Sequence, residues 1–272
     1  GPTMQAIAAE FNLSETVFVM APDDPEHRAR LRIFTPGREL PFAGHPTVGT
    51  AVCLALDDEV GTHRASGMTV EEQVGVIRCD VRLSSAHGGT ASFALPVLPQ
   101  RSGSAPAPEP IASALGLALE EIGFADHQPA IWSAGVPFLL VPVTGRDAVD
   151  RAQVAPGRGV DLVAQAEASG IFIYARARAD VSASDVIYAR MFAPGLGIAE
   201  DPATGAAVAA LAGQIMVADR PADGAHGFQV EQGVAMGRPS KIRLELTVAS
   251  GSLHGARLAG AAVVVAEGRL FL

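Results

Sequence analysis

Apolar residues recur at helical spacing in "PTMQAIAAEFN", where Met4, Ile7, Ala8 and Phe11 predict a first helix. "ETVFVMAP" and "RARLRIFTP" read as strands. "PTVGTAVCLALDD", from Pro46 to Asp58, is apolar nearly all round, which predicts a helix buried on every side. Strands follow in "GMTVEEQVGVIRCDVRLS" and "GTASFALPVL". From Pro96 to Pro110 periodicity is lost and Pro, Ser and Ala dominate, the composition of a linker. Beyond it come a short helix around Ile111 to Leu115, a strand pair in "AIWSAGVPFLLVPV" and helical stretches between Arg146 and Ser169. Strands "GIFIYARA" and "VIYARMFAP" precede an Ala-rich helix, "PATGAAVAALAGQIMV". The remainder, "GFQVEQG", "SKIRLELTVAS" and "SLHGARLAGAAVVVAEGRLFL", is strand-like to the end.

The order repeats. "HPTVGTAV" from His45 matches "DPATGAAV" from Asp201, and "RIFTPG" from Arg32 matches "RMFAPG" from Arg190, at offsets two residues apart. Each half thus holds a strand ending in Arg-x-Phe-x-Pro-Gly, a loop, an acid-base residue, a proline and a small-residue helix. A buried helix of small residues fits inside a strongly curved sheet. Two such units related by a pseudo-twofold would set two helix N-termini face to face, each with unpaired N–H groups and a partial positive charge. A small carboxylate or carbonyl fits between them, with His45 and Asp201 on opposite sides, an arrangement for moving protons. Taken singly, the same residues have plainer readings. Asp201 before Pro202 is a helix cap, His45 is as readily a loop histidine, and Glu15 in "FNLSETVFV" is a solvated carboxylate.

Composition narrows the classes. A net charge of −9 over 272 residues supplies no phosphate-tracking surface, which argues against nucleic acid. No apolar run reaches the roughly 18 residues of a membrane span, so the chain is expected to be soluble and cytoplasmic. With 49% apolar residues it can bury a core of small aliphatics. Cys53 and Cys79 read as buried small hydrophobes. The glycines do not make a P-loop or a dinucleotide fingerprint, and neither HExxH nor GxSxG occurs. No metal and no cofactor is expected. The other histidines, His27, His63, His87, His127, His226 and His254, read as surface or loop residues.

"NLSETVFV", "RIFTPGRELPFAGHPTVGTA", "RMFAPGLGIAEDPATGAA" and "VEQGVAMGRPS" resemble the PhzF-like proteins of phenazine biosynthesis, in the diaminopimelate-epimerase fold superfamily. The resemblance implies an α+β fold of two pseudo-symmetric domains, each a curved, barrel-like, mostly antiparallel sheet around a central helix. It also implies a cofactor-free site between them and a homodimer. The domains are expected at 1–98 and 111–272, joined by a linker at 99–110. The family opens with a strand and a Gly-Asn-Pro turn ahead of such a first helix. The N-terminal domain is therefore expected to lack that strand, with the C-terminal strand as the candidate to complete it.

In the phenazine enzyme the matching glutamate shuttles a proton between carbons of a dihydro-hydroxyanthranilate ring; here it is Glu15. The resemblance assigns His45 and Asp201 to catalysis with Glu15, and Ser14, Gly44, Gly205 and Ala206 to substrate contact. Ala206 stands where the phenazine enzyme has serine, which removes one polar contact. The related epimerases carry cysteines at the positions of His45 and Asp201, so two-thiol chemistry is disfavoured. The expected activity is a cofactor-independent proton shift on a small cyclic or unsaturated carboxylic acid. The alternatives are a two-base epimerase and a non-catalytic binding protein on the same scaffold.

Overall fold

A computed structural model describes residues 1–58, 65–155, 157–176 and 186–271. The first half runs α1 (Pro2–Phe11), β1 (Thr16–Met20), β2 (Ala29–Phe34), β3 (Glu39–Leu40), α2 (Gly44–Asp57), β4 (Ala65–Glu72), β5 (Gly75–Ser85) and β6 (Gly88–Ala94). The next stretch carries β7 (Gln100–Arg101), α3 (Pro108–Leu115), β8 (Ala130–Ser133), β9 (Pro137–Pro142), α4 (Arg146–Arg151) and α5 (Arg158–Gln165). The remainder comprises β10 (Ile171–Arg176), β11 (Val186–Ala193), β12 (Ile198–Asp201), α6 (Gly205–Ala218), β13 (Gly224–Gln232), β14 (Ser240–Ala249) and β15 (Ser252–Val263).

The repeat read from "RIFTPG" and "HPTVGTAV" extends to strand pairing. β1 lies antiparallel to β2, β2 parallel to β4, and β4 antiparallel to β5. β10, β11, β13 and β14 pair in the same sequence of senses. The short β3 and β12 hang off β2 and β11 in the same way. The two sets join where β6 meets β15 antiparallel, from Ala94 opposite Arg257 to Gly88 opposite Val263. One strand path, β1-β2-β4-β5-β6-β15-β14-β13-β11-β10-β9-β8-β7, therefore carries both halves. The second half has an extra strand, β9, parallel to β10. Among the described residues β1 has no such neighbour. β15 pairs with β6 and not beside β1.

α6 is the buried helix that its composition predicts: every residue except Met216 and Val217 is buried. Gly213 permits this, because a Cβ there would lie 2.2 Å from the Trp132 ring. The indole lies against the bare backbone and donates its Nε1–H to Gln214 Oε1 at 2.8 Å. α2 packs on β5, β6 and β15 but is not enclosed all round. Its outer face opens into a groove of about 420 Å³ lined by Gly49, Thr50 and Cys53 together with Val17, Val19 and Val263. Cys53 is therefore exposed, against the expectation of burial, while Cys79 is buried. The Pro96–Pro110 stretch contributes β7 to the sheet edge, paired with β8, and Pro108 opens α3, where proline costs no hydrogen bond.

Two histidine readings change. His127 is buried, with Nδ1 2.7 Å from the Tyr174 hydroxyl and Nε2 2.9 Å from Asp219, and it stacks on Phe124. Polar neighbours in the sequence disguised a position whose partners lie on β10 and at the end of α6. His27 is half-buried and pairs with Glu71 at 2.8 Å. His63 lies outside the described residues. Among the described residues no helix is long and apolar enough to cross a membrane.

Candidate active site

α2 and α6 meet end to end. A Cβ added to Gly44 would lie 2.7 Å from Gly205 Cα, and one added to Gly205 would lie 2.8 Å from Gly44 Cα. Real side chains do not approach that closely, so glycine at both positions lets the two helix starts touch. Gly44 and His45 open α2, and Gly205 and Ala206 open α6. Backbone N–H groups at such positions have no acceptor within their own helix, and the two partial positive ends converge on one point. Helix α2 starts at Gly44, so His45 lies in its first turn and is not a cap ahead of Pro46.

Glu15, at the entry to β1, reaches this junction. Its Oε2 lies 3.0 Å from His45 Nε2. The nearest ligating atoms of Glu15, His45 and Asp201 all fall within 4.8 Å of one another. The three line a cavity of about 40 Å³ with Gly44, Gly205 and Ala206, walled by apolar groups such as Phe42, Phe138 and Met191. Ser14 is half-buried beside Glu15 but is not part of this lining. Glu15 and His45 also line the larger groove along α2, so the pair stands between the two spaces.

The charges are coupled. Burial opposes a charged His45, but the adjacent Glu15 carboxylate, with further help from Asp201 and the Ala203 backbone, raises its pKa to about 9. His45 is thus an imidazolium at neutral pH, held by two carboxylates. Asp201 is 1% exposed. Its Oδ2 accepts from Thr204 Oγ1 at 2.5 Å, while Oδ1 is buried with no donor among the described residues. Gln232, fully buried, fixes the turn: it donates to the Asp201 carbonyl and to Thr204 Oγ1, and accepts from the Thr204 N–H. Gln232 lies in the "VEQG" stretch that carries the resemblance, yet its place was not readable, because its partners are about thirty residues upstream. Glu15, His45 and Asp201 also make a donor set for a divalent cation, which would have to displace the His45 proton.

A second repeated device sits behind the site. Arg32 pairs with Glu39 through two hydrogen bonds of 2.8 and 2.7 Å, and Arg190 pairs with Glu200 through two of 2.9 and 2.8 Å. Each arginine also covers a phenylalanine two residues on, Phe34 or Phe192. These forked pairs brace the loops that lead to His45 and to Asp201.

The family model described as phenazine biosynthesis-like protein, PhzC-PhzF, matches residues 1–268. The chain belongs to that family. It is 48% identical over 272 residues to an uncharacterized isomerase of Mesorhizobium japonicum, covering 99% of this chain and 88% of the relative. It is 30% identical over 274 residues to the trans-2,3-dihydro-3-hydroxyanthranilate isomerase of Pseudomonas aeruginosa, covering 100% of this chain and 89% of that enzyme. The crystal structure of a PhzF-family phenazine biosynthesis protein of Bacillus anthracis superposes with a TM-score of 0.81 at 24% identity, over 97% of this chain and 87% of that one. The PhzF member described here is an isomerase, and its α+β architecture is of the diaminopimelate-epimerase type.

Proposed function

We propose that this PhzF-family isomerase shifts a proton on a small cyclic or unsaturated carboxylic acid, in the manner of trans-2,3-dihydro-3-hydroxyanthranilate isomerase. The observation that carries the reading is the convergence of Glu15, His45 and Asp201 where the starts of α2 and α6 touch. Glu15 is the general base. Its Oε2 lies 3.0 Å from His45 Nε2 and its carboxylate lines the cavity, where it can take a proton from carbon. The protonated Glu15, after exchange with water through the groove along α2, then delivers a proton to another carbon of the same molecule, leaving formula and charge unchanged. The His45 imidazolium places a donor next to developing negative charge. Asp201 Oδ1 is the second free acceptor and keeps His45 charged. The N–H groups of Gly44, Gly205 and Ala206 hold the substrate carboxylate, with Ser14 as a further substrate contact once the cavity widens. A cavity of about 40 Å³ is too small for a ring, so the substrate widens it toward the groove along α2.

The division into domains at 1–98 and 111–272 with a linker at 99–110, a homodimer and a cytoplasmic location belong to this proposal; sizing by light scattering tests the dimer. The central test is deuterium uptake from D₂O, followed by NMR. Trans-2,3-dihydro-3-hydroxyanthranilate is the first probe, and small unsaturated acids follow. Wild type is expected to exchange one carbon-bound proton during turnover, and Glu15→Gln to lose about 10²–10⁴ in rate. Exchange by Glu15→Gln at the wild-type rate refutes the role of Glu15.

A further inference from the structure

Thr47 stands one turn into α2, and its Oγ1 lies 2.7 Å from the Ala43 carbonyl oxygen and 2.6 Å from Glu72 Oε1 at the end of β4. Both are hydrogen-bond distances between oxygens, and each requires a hydrogen. A carbonyl only accepts, and a hydroxyl carries one hydrogen. If Thr47 donates to Ala43, the hydrogen in the other contact must come from Glu72. If Glu72 were ionised, one of the two contacts would set bare lone pairs against each other. The rest of the Glu72 environment agrees. Glu72 is 8% exposed, and its Oε2 is buried with no partner. A buried carboxylate oxygen without a donor or cation is strongly disfavoured, whereas a neutral acid tolerates that position. Thr47 faces it from α2 and the buried Cys79 thiol from β5, and among the described residues no cation is paired with it.

We infer that Glu72 is a protonated, neutral carboxylic acid in the fully active form of the protein and a positioning residue for the start of α2, donating to Thr47 so that Thr47 can close on Ala43. Burial pushes its titration up to about 7. When Glu72 loses its proton, the Thr47 hydrogen is drawn to the carboxylate and the Ala43 carbonyl loses its side-chain donor. The first turn of α2 has no side-chain cap. Gly44 packs on Gly205 without slack, so a shift of that turn reaches Gly205 and His45 directly. The effect on activity rests on the proposed function; the protonation state does not.

The test has two arms. In the first, protein carrying ¹³C-labelled glutamate is titrated by NMR without any substrate. One carboxyl carbon of the wild type should titrate near 7, and that signal should be missing in Glu72→Gln. Titration of every glutamate at or below the ordinary range, about 4 to 5, overturns the inference. The second arm follows isomerisation of trans-2,3-dihydro-3-hydroxyanthranilate against pH. Glu72→Gln keeps a donor toward Thr47 and should match wild-type kcat on the acid side, without the wild-type decline through neutrality. Glu72→Ala should lose about tenfold in kcat with KM little changed. Equal pH profiles for wild type and Glu72→Gln overturn the positioning role. A wild type with no turnover counts against the proposed function, while the titration still decides the state of Glu72.

Discussion

Replacing Gly205 with alanine sets two physical effects against each other. Intrinsic propensity favours alanine over glycine by up to about 1 kcal/mol in a helix interior, and by less at a first position such as this one. The structure opposes it. The new Cβ would lie 2.8 Å from Gly44 Cα, where carbon atoms prefer about 3.5–4.0 Å. The neighbour is backbone at the start of α2, so relief requires one helix to withdraw by about 1 Å. Forced overpacking of this kind costs about 1–3 kcal/mol. The net expectation for Gly205→Ala is a loss of about 1–2 kcal/mol. A displacement of about 1 Å at reacting groups costs on the order of 10²-fold in rate. Gly49→Ala is the matched control. It lies inside α2, and an added Cβ there meets no heavy atom within 4 Å. It should stabilise the protein by about 0.5–1 kcal/mol. Urea unfolding with unchanged m-values measures both variants, and the deuterium-uptake assay measures the rate. If Gly205→Ala proves as stable and as active as Gly49→Ala, the contact between the helix starts does not shape the site.

The two forked arginines should differ in weight: Arg190 also donates to the carbonyls of Val149, Asp150 and Ala152, whereas among the described residues the hydrogen bonds of Arg32 go to Glu39. Arg190→Met is expected to lose about 3 kcal/mol and Arg32→Met about 1 in urea unfolding, and the reverse order would refute the ranking. His127→Ala strands the buried Tyr174 hydroxyl and takes one partner from Asp219, which keeps Arg176; it should cost about 1–3 kcal/mol by thermal unfolding, with KM unchanged, and a neutral result would show that water replaces the imidazole. For His45, the folded pKa is raised to about 9 from 6.5. The charge on His45 therefore adds stability that is complete below pH 6.5 and disappears as pH rises through about 9. Isomerisation should fall over the same alkaline range, and a ¹⁵N titration of the His45 ring checks the assignment; an ordinary imidazole pKa would remove it.

The repeat was legible because it is written in consecutive residues. "RIFTPG" and "RMFAPG" end equivalent strands, and the proline-led small-residue helices follow in register. Propensity and burial pattern then agree on the elements. Glu15, His45 and Asp201 were readable as a set only through their motifs, since nothing local brings residue 15 against residue 45. What stayed hidden depends on partners distant in sequence. Glu72 reads as one more polar position beside Glu71, and only the fold turns it inward against Thr47. His127 sits among polar neighbours yet packs between Tyr174 and Asp219. Cys53 fits an apolar helix, but among the described residues its face of α2 opens into the groove shared with Val17, Val19 and Val263. Glu39 and Glu200 look like ordinary loop charges until their arginines are seen across a hairpin.

The pairing of β6 with β15 also sets a clock on biosynthesis. Ala94 leaves the ribosome long before Arg257, its partner across the sheet. At typical elongation rates the interval is on the order of ten seconds. Throughout it, the hydrogen-bonding edge of β6 has no strand to receive. A neighbouring polysome-borne chain that has already made its β15 offers the same edge in the same register. Expression temperature and translation speed should therefore govern the yield of correctly closed protein more strongly than its final stability does.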